Sequence, residues 1–470
     1  MPHRADAAYL IFGSSLRAGT RQFSVPNNIV NDTTNNSLNS RMTCFAPANT
    51  AITGLQISFP GFGFNNPEAV LPNGYTVTAA IEYPAGTFTP LTVSGSRTLT
   101  VTPSERLYSY DFLPISIPAG AAFYVKTFVQ WTVGNFWMCS LCASFLLTDW
   151  TIAGTNLSDN TLTTTTFLST SINFAGPQKT VGVIGDSVAY AGGADTWDPT
   201  TGSRFYERAM RNVLPIINLA RGSDGFVRYL QMNQGRRLML IGLIDSLICG
   251  YGRNDISAGA SLATMQTRAQ TTWADYQNAG IAVRQATITP QTTSTDGWAT
   301  TANQTVADPA AESVRVAFNA WIRANWASLG LSGYLDNAWA IDPNDTGLWS
   351  ADGTTGTGAA AFCTLTGGVV TAASVAVYQQ NGKGTGNSYP HSSVVPCTVR
   401  GYPGETGTLP VITGNAASNG LVTSYNIVSP GSGLLYPPMV AGNGAWTPDG
   451  THPNARGYNE CIYYTNLGPT

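Results

Sequence analysis

The spacing of apolar and polar residues divides the chain into two regimes. From about residue 8 to 175 apolar and polar residues alternate in short runs, as in Thr76-Val77-Thr78-Ala79-Ala80-Ile81-Glu82-Tyr83 and Thr98-Leu99-Thr100-Val101-Thr102. A period of two sends successive side chains to opposite faces of a strand, and Pro/Gly turns bound the runs. Leu113 to Gly120 reads as a turn leading into a further strand, Phe123 to Val129. This pattern predicts a jelly-roll-like β-sandwich over residues 1–176.

After Lys179 the pattern changes. Val181-Gly182-Val183-Ile184 is an apolar run of the kind found in parallel strands buried on both faces. Ser203 to Leu214 places Phe205, Ala209 and Val213 on one helical face. Ile216 to Leu219 and Leu238 to Cys249 read as the next strands, Ala260 to Ala279 as a helix, and Ile281 to Thr289 as a strand. Asp308-Pro309 opens an amphipathic helix that runs to Asn325, a capping residue followed by a first-turn proline. Strands alternating with helices predict an α/β domain, a doubly wound parallel sheet with helices on both faces.

That domain begins at 177 and is interrupted after 354. Trp349-Ser350-Ala351-Asp352-Gly353-Thr354 is nearly repeated by Trp446-Thr447-Pro448-Asp449-Gly450-Thr451. The paired flanks predict a β-rich insert over residues 355–445, with 446–470 returning to the α/β domain. Inside it, Gly368-Val369-Val370-Thr371 and Gly420-Leu421-Val422-Thr423 open two loosely similar units, which reach Tyr389-Pro390 and Tyr436-Pro437.

Composition narrows the functions available. A chain of 470 residues is long enough for two or three domains. Only 10% of it is charged, with 23 basic and 26 acidic residues and no Lys/Arg cluster, which argues against a nucleic-acid partner. No apolar stretch approaches the roughly 20 residues that span a bilayer, so no membrane partner is expected. Met1 to Asp6 lacks the apolar core of a secretory signal. Low charge with abundant Thr, Ser, Asn and Gly fits an extracellular or virion-associated protein, including a homo-oligomer or part of a virion tail assembly. Phage tail proteins leave the cell by lysis and need no leader.

Seven cysteines, an odd number, do not make a disulfide framework. Cys139-x-x-Cys142 lacks the second pair or nearby His that would complete a zinc site. Cys363 and Cys397 flank a loop-rich stretch and could pair in an oxidising compartment. Cys44, Cys249 and Cys461 read as small apolar residues.

The candidate chemistry lies in two blocks, Gly185-Asp186-Ser187 at the end of the first α/β strand and Asp449-Gly450-Thr451-His452 near the C-terminus. A serine hydroxyl is a poor nucleophile unless an imidazole takes its proton, and the imidazole needs a carboxylate to fix its tautomer. Of the three histidines, His3 sits at the terminus and His391 has no acid nearby, which leaves His452. Two further blocks follow later strands: Asn218-Leu219-Ala220-Arg221-Gly222-Ser223, and Gly252-Arg253-Asn254-Asp255.

Four blocks in this order resemble the SGNH hydrolases, or GDSL esterases. The resemblance implies Ser187 as nucleophile, Asp449 and His452 as its partners, and an oxyanion hole made by the Ser187 amide, Gly222 and the Asn254 side chain. The Ser223 amide is the alternative to Gly222. Val188 stands where the family usually has Leu. Asp186 and Asp255 read as loop-holding residues, and Asp352 is a decoy acid with no His three positions on. The implied chemistry is ester hydrolysis through an acyl-enzyme, with no metal and no cofactor.

Ala191 to Trp197 is small and polar and offers no apolar lid for a long acyl chain. That favours short acyl groups, acetyl above all, on an acylated carbohydrate or another small ester. Trp197 and Trp446, with Trp298 and Trp349 behind them, are candidate platforms for sugar rings. The rival reading is a virion or cell-surface carbohydrate-binding adhesin built on an SGNH scaffold, and a thioesterase or peptidase would share the triad.

Overall fold

The computed structural model describes residues 37–46, 51–64, 68–132, 179–189, 216–231, 241–378, 385–402 and 404–464, together with short strand and helix segments between them. In the N-terminal region, strands Ser37–Phe45, Ala122–Gln130 and Tyr75–Glu82 run antiparallel at the centre of a six-stranded sheet. Leu16–Ala18, Ser171–Ala175, Leu55–Pro60 and Leu107–Ser109 form a second antiparallel sheet. The period of two is realised in Tyr75–Glu82, where Tyr75, Val77, Ala79 and Ile81 are buried. They meet Ile57 and Phe59 of the other sheet in one core. Phe62 and Leu107 instead join the α/β core, beside Ile217, Leu219 and Phe226.

Five parallel strands make the central sheet: β1 (Val181–Gly185), β2 (Ile216–Asn218), β3 (Ser246–Gly250), β4 (Ala282–Ala286) and β5 (Gly333–Leu335). Their order is β2-β1-β3-β4-β5. The progression reverses at β1, so the crevice beyond the carboxyl ends of β1 and β3 is where such a sheet binds ligands. Leu247 and Cys249 of β3 face α3 (Leu262–Gln277) and α4 (Pro309–Asn325), through Met265, Trp273, Phe318 and Ile322. Ile248 faces the other way, toward α5 (Asn337–Ile341) and α6 (Ala455–Tyr464), through Ile341, Tyr458 and Ile462. The sheet is covered on both faces.

Both long helices start where expected, with Ser261 capping α3 and the Asp308 carboxylate accepting the Ala310 and Ala311 amides at the head of α4. The run Leu238 to Cys249 is not one strand. Residues 241–243 are helical, Leu243 and Ile244 pack into the core, and only Ser246–Gly250 enters the sheet. An apolar run marks burial but does not separate a buried helical turn from a buried strand. In the helix expected over 203–214, Tyr206 and Ala209 are helical and buried. Its other residues, His3, Cys142 and most of the 191–197 loop lie outside the described residues.

The region between the paired flanks is an antiparallel sheet of its own: β6 (Thr357–Thr366), β7 (Val369–Val375), β8 (Val394–Arg400), β9 (Val411–Ala416), β10 (Val422–Ser429) and β11 (Met439–Gly442), in the order β7-β6-β11-β8-β9-β10. The Val370 amide donates to the Pro430 carbonyl just beyond β10 at 3.0 Å, so the sheet curls until its edge strands meet. Those edges are the strands opened by the two similar units. The curled sheet has a separate core that includes Val370, Val395, Ile412, Val422 and Tyr425. Cys363 and Cys397 pack against it as free thiols, and burial pushes both up to about 12.

Candidate active site

The turn after β1, which carries Ser187, is shaped by close packing. Gly185 ends β1 where any Cβ would lie 2.3 Å from the Ala189 Cβ, so the chain bends tightly enough to leave Ser187 half-exposed at the sheet's edge. Asp186 turns inward, is buried, and accepts the Val188 amide at 2.9 Å. The Tyr458 hydroxyl of α6 donates to the Val188 carbonyl at 2.9 Å, and the Asn218 amide donates to that of Ala189 at 3.2 Å. The last helix and the end of β2 thus hold the turn from two sides.

The second half of the site arrives on the loop before α6. Within that loop, the Thr447 hydroxyl accepts the Gly450 amide at 2.9 Å and donates to the His452 carbonyl at 2.8 Å. Gly450 has φ +77, and its carbonyl accepts both the Thr292 amide at 3.0 Å and the Trp349 indole N–H at 2.9 Å. A Cβ on Gly450 would fall 2.0 Å from the Thr292 carbonyl oxygen. Gly450→Ala is therefore expected to cost about 1–3 kcal/mol and to reduce turnover by displacing His452, because it adds strain at positive φ to a backbone clash. Melting temperature and turnover both at wild-type level would show that the loop yields freely.

These two loops bring together residues 265 positions apart. His452 Nε2 lies 2.7 Å from Ser187 Oγ, and His452 Nδ1 lies 2.7 Å from Asp449 Oδ2. The other Asp449 oxygen accepts the Thr451 and His452 amides at 2.9 and 2.8 Å. Burial works against ionisation of Asp449, yet the hydrogen bonds from His452 and the two amides hold its carboxyl down at about 2. Burial also works against the charged imidazole, but the hydrogen bond and charge of Asp449, then the charge of Asp186, raise His452 above its ordinary value.

The third and fourth blocks converge on the same edge. Asn254, at the start of α2 (Arg253–Ser257), is half-buried and donates one amide hydrogen to the Asp224 carbonyl at 2.7 Å, which fixes its plane and leaves its second N–H for another acceptor. Asp255 accepts the Phe226 and Val227 amides at 2.8 and 3.0 Å and the Arg268 guanidinium at 3.0 Å, a loop-holding role at the head of α1 (Phe226–Leu230). Arg221 donates its amide to the Gly185 carbonyl at 2.9 Å, tying the Gly222-Ser223 turn to β1. Among the described residues no group accepts the amide of Gly222 or of Ser223, so both candidate donors are available.

The tryptophans divide differently from expectation. Trp446, expected as a sugar platform, is 9% exposed, and the Arg456 guanidinium covers its ring at 4.2 Å. It packs the core because the flank that carries it is drawn under α6. Trp349 is fully buried and serves the Gly450 clamp. Trp298 is half-buried with its indole on the Thr292 hydroxyl at 2.9 Å. The Trp197 strand pairs with Val377–Tyr378, and its side chain lies outside the described residues. Asp352 is held by Arg456 at 3.0 Å and by the Gly444 amide at 3.1 Å, which joins the two flanks.

No protein-family model matches the chain, and no curated protein does. Among solved structures its neighbours are GDSL hydrolases and esterases. A Bacillus subtilis protein is 13% identical over 64% of this chain and 68% of that one, with a TM-score of 0.27. A GDSL-like lipase from Bacteroides thetaiotaomicron is 12% identical over 35% and 70%, with a TM-score of 0.25. A variant of an acetyl-xylooligosaccharide esterase from a Geobacillus is 10% identical over 36% and 79%, with a TM-score of 0.27. These likenesses are remote, and the chemistry of the site rests on its own atoms. Among the described residues no group of three or more His, Cys, Asp or Glu is placed to hold a metal, and no helix is long and apolar enough to cross a membrane.

Proposed function

We propose that the chain is a serine esterase of the SGNH type. The observation that carries this is the unbroken line of hydrogen bonds from Asp449 through His452 to Ser187, 2.7 Å at each step. With Nδ1–H donated to Asp449, Nε2 is left as the acceptor for the serine proton. Ser187 Oγ attacks the ester carbonyl as its proton passes to Nε2. The oxyanion is received by the Ser187 amide, by Gly222 or Ser223, and by Asn254. Collapse of this intermediate breaks the acyl–oxygen bond, and the imidazolium returns the proton to the departing alcohol. Water then attacks the acyl-enzyme with the same base, releasing the acid and restoring Ser187.

Asn254→Ala is expected to lower kcat by roughly 10²–10³ with little change in KM, because the lost donor acts on charge that develops only in the transition state. Wild-type kcat in this variant would remove Asn254 from the oxyanion hole.

The base must be neutral to work. Since His452 titrates above its ordinary value of about 6.5, kcat/KM is expected to rise with pH through a midpoint above that value. The stability contribution of the same group has the opposite sign: the imidazolium pairing is present at low pH and fades as pH rises through the folded pKa. Asp449, held at about 2, stays ionised throughout and loses its contribution only as pH falls from about 4 toward that value. An acid limb centred below pH 6 would contradict this arrangement.

We extend the reading to short acyl groups, acetyl first, on carbohydrate, and to an extracellular or virion setting. The small polar composition of 191–197 and the low charge of the chain support both. The N-terminal region, with paired antiparallel sheets over one core, fits a jelly-roll-like module. Acetate release across a panel of acetylated polysaccharides tests the substrate. Hydrolysis confined to long-chain or thioester substrates would overturn it.

A further inference from the structure

A cavity of about 20 Å³ lies beneath the nucleophile turn, walled by Asp186, Arg253, Asn337 and the segment after β4 that carries Thr287 and Thr289. Ser187, His452 and Asn254 are not part of its wall. Two polar groups on its lining residues have no protein partner among the described residues. One is the Arg253 Nε–H and the other is Asn337 Oδ1, on side chains of residues 6% and 3% exposed. The rest of the Arg253 guanidinium is anchored on the Thr289 carbonyl, so it is held in place with Nε unused.

A buried donor and a buried acceptor on residues that line the same small cavity are rarely left dry. The volume suffices for one water, which needs two to four polar partners. An apolar group would leave both unpaired, and an anion would meet the Asp186 carboxylate.

We infer that this cavity is an ordered-water site linking Arg253 and Asn337 to Asp186, and that Asp186 is thereby a positioning residue, a second carboxylate whose charge acts on His452 from below the nucleophile turn. The titratable groups coupled to the charge of Asp186 are Arg253 on α2, His452 on the last loop, Asp224 beyond β2, Tyr206 between β1 and β2 and Cys249 on β3. Burial pushes Asp186 up to about 6, while the Val188 amide, Arg253 and His452 pull the other way. In its ionised form Asp186 favours the imidazolium of His452.

The catalytic meaning rests on the esterase reading, but the test does not need turnover. With only three histidines in the chain, the His452 ring can be followed by NMR titration. In Asp186→Asn, whose side-chain carbonyl can still accept the Val188 amide, His452 is expected to titrate lower by about 0.5–1 pH unit. Arg253→Gln should shift it in the same direction, because Asp186 loses the charge that helps it ionise. The acid limb of kcat/KM should move with the ring. A purely structural role would lower kcat or the melting temperature and leave the titration where it was.

Unchanged His452 titration in both variants overturns the inference, as does a high-resolution crystal structure of the wild-type protein with no density within hydrogen-bonding reach of Arg253 Nε and Asn337 Oδ1. If Asp186→Asn does not fold, Arg253→Gln and the wild-type density decide. A shifted imidazole in a protein that hydrolyses no ester would sink the proposed function and leave this site standing.

Discussion

Ser187→Ala is expected to reduce hydrolysis of p-nitrophenyl acetate by roughly 10⁵–10⁶ while moving the melting temperature by no more than a few degrees. The two halves of this expectation have separate causes. Activity falls because the acyl-enzyme cannot form, and the imidazole and oxyanion donors do not act independently of the nucleophile they serve. Stability holds because Ser187 is half-exposed and contributes one hydrogen bond, whose net worth is about 0.5–1.5 kcal/mol and which water can replace at His452 Nε2. A fluorophosphonate probe should add covalent mass to the wild-type protein at Ser187 and none to the variant. Retained turnover, or labelling elsewhere, would place the nucleophile at another residue. A wild-type protein that binds sugar but takes no label would favour the adhesin.

Much of this site was legible in the sequence because each part is short and contiguous. Gly185-Asp186-Ser187 follows an apolar run that reads as a buried strand, and Asp449 and His452 share one tight loop, while the meeting of these two blocks across 265 positions was implied only by the resemblance to the SGNH hydrolases. What was not legible depends on contacts between distant segments. Trp349 and Trp446 occupy matching places in two similar flanks, and nothing in the letters says that one clamps Gly450 while the other lies under Arg456. Thr292, the other half of the clamp, sits in an unremarkable run of threonines. The apolar stretch from Leu238 signals burial without fixing the backbone conformation, so its helical turn at 241–243 is not visible in the letters. Arg253 and Asn337 are 84 positions apart, and only the fold brings them to the lining of one cavity.

Asp449→Asn is expected to cost roughly 10⁴ in kcat/KM at neutral pH, and the reason lies in which oxygen the backbone uses. In the wild-type loop Asp449 Oδ1 accepts the Thr451 and His452 amides while Oδ2 faces His452 Nδ1. An asparagine in that loop has one acceptor, and the two backbone donors claim it. Its NH₂ group is then turned toward Nδ1, which must accept, so the ring proton moves to Nε2 and points at Ser187. The base is lost because the tautomer is wrong, although every side chain keeps its place. Ring nitrogen shifts of His452 should report the Nδ1-protonated form in the wild type and the Nε2-protonated form in the variant. They should also show a lower ring pKa, since the carboxylate that favours the imidazolium is gone. The same tautomer in both proteins, or a loss of activity below tenfold, would mean that Asp449 does not orient His452, and the chain of hydrogen bonds would lose its catalytic meaning at that step.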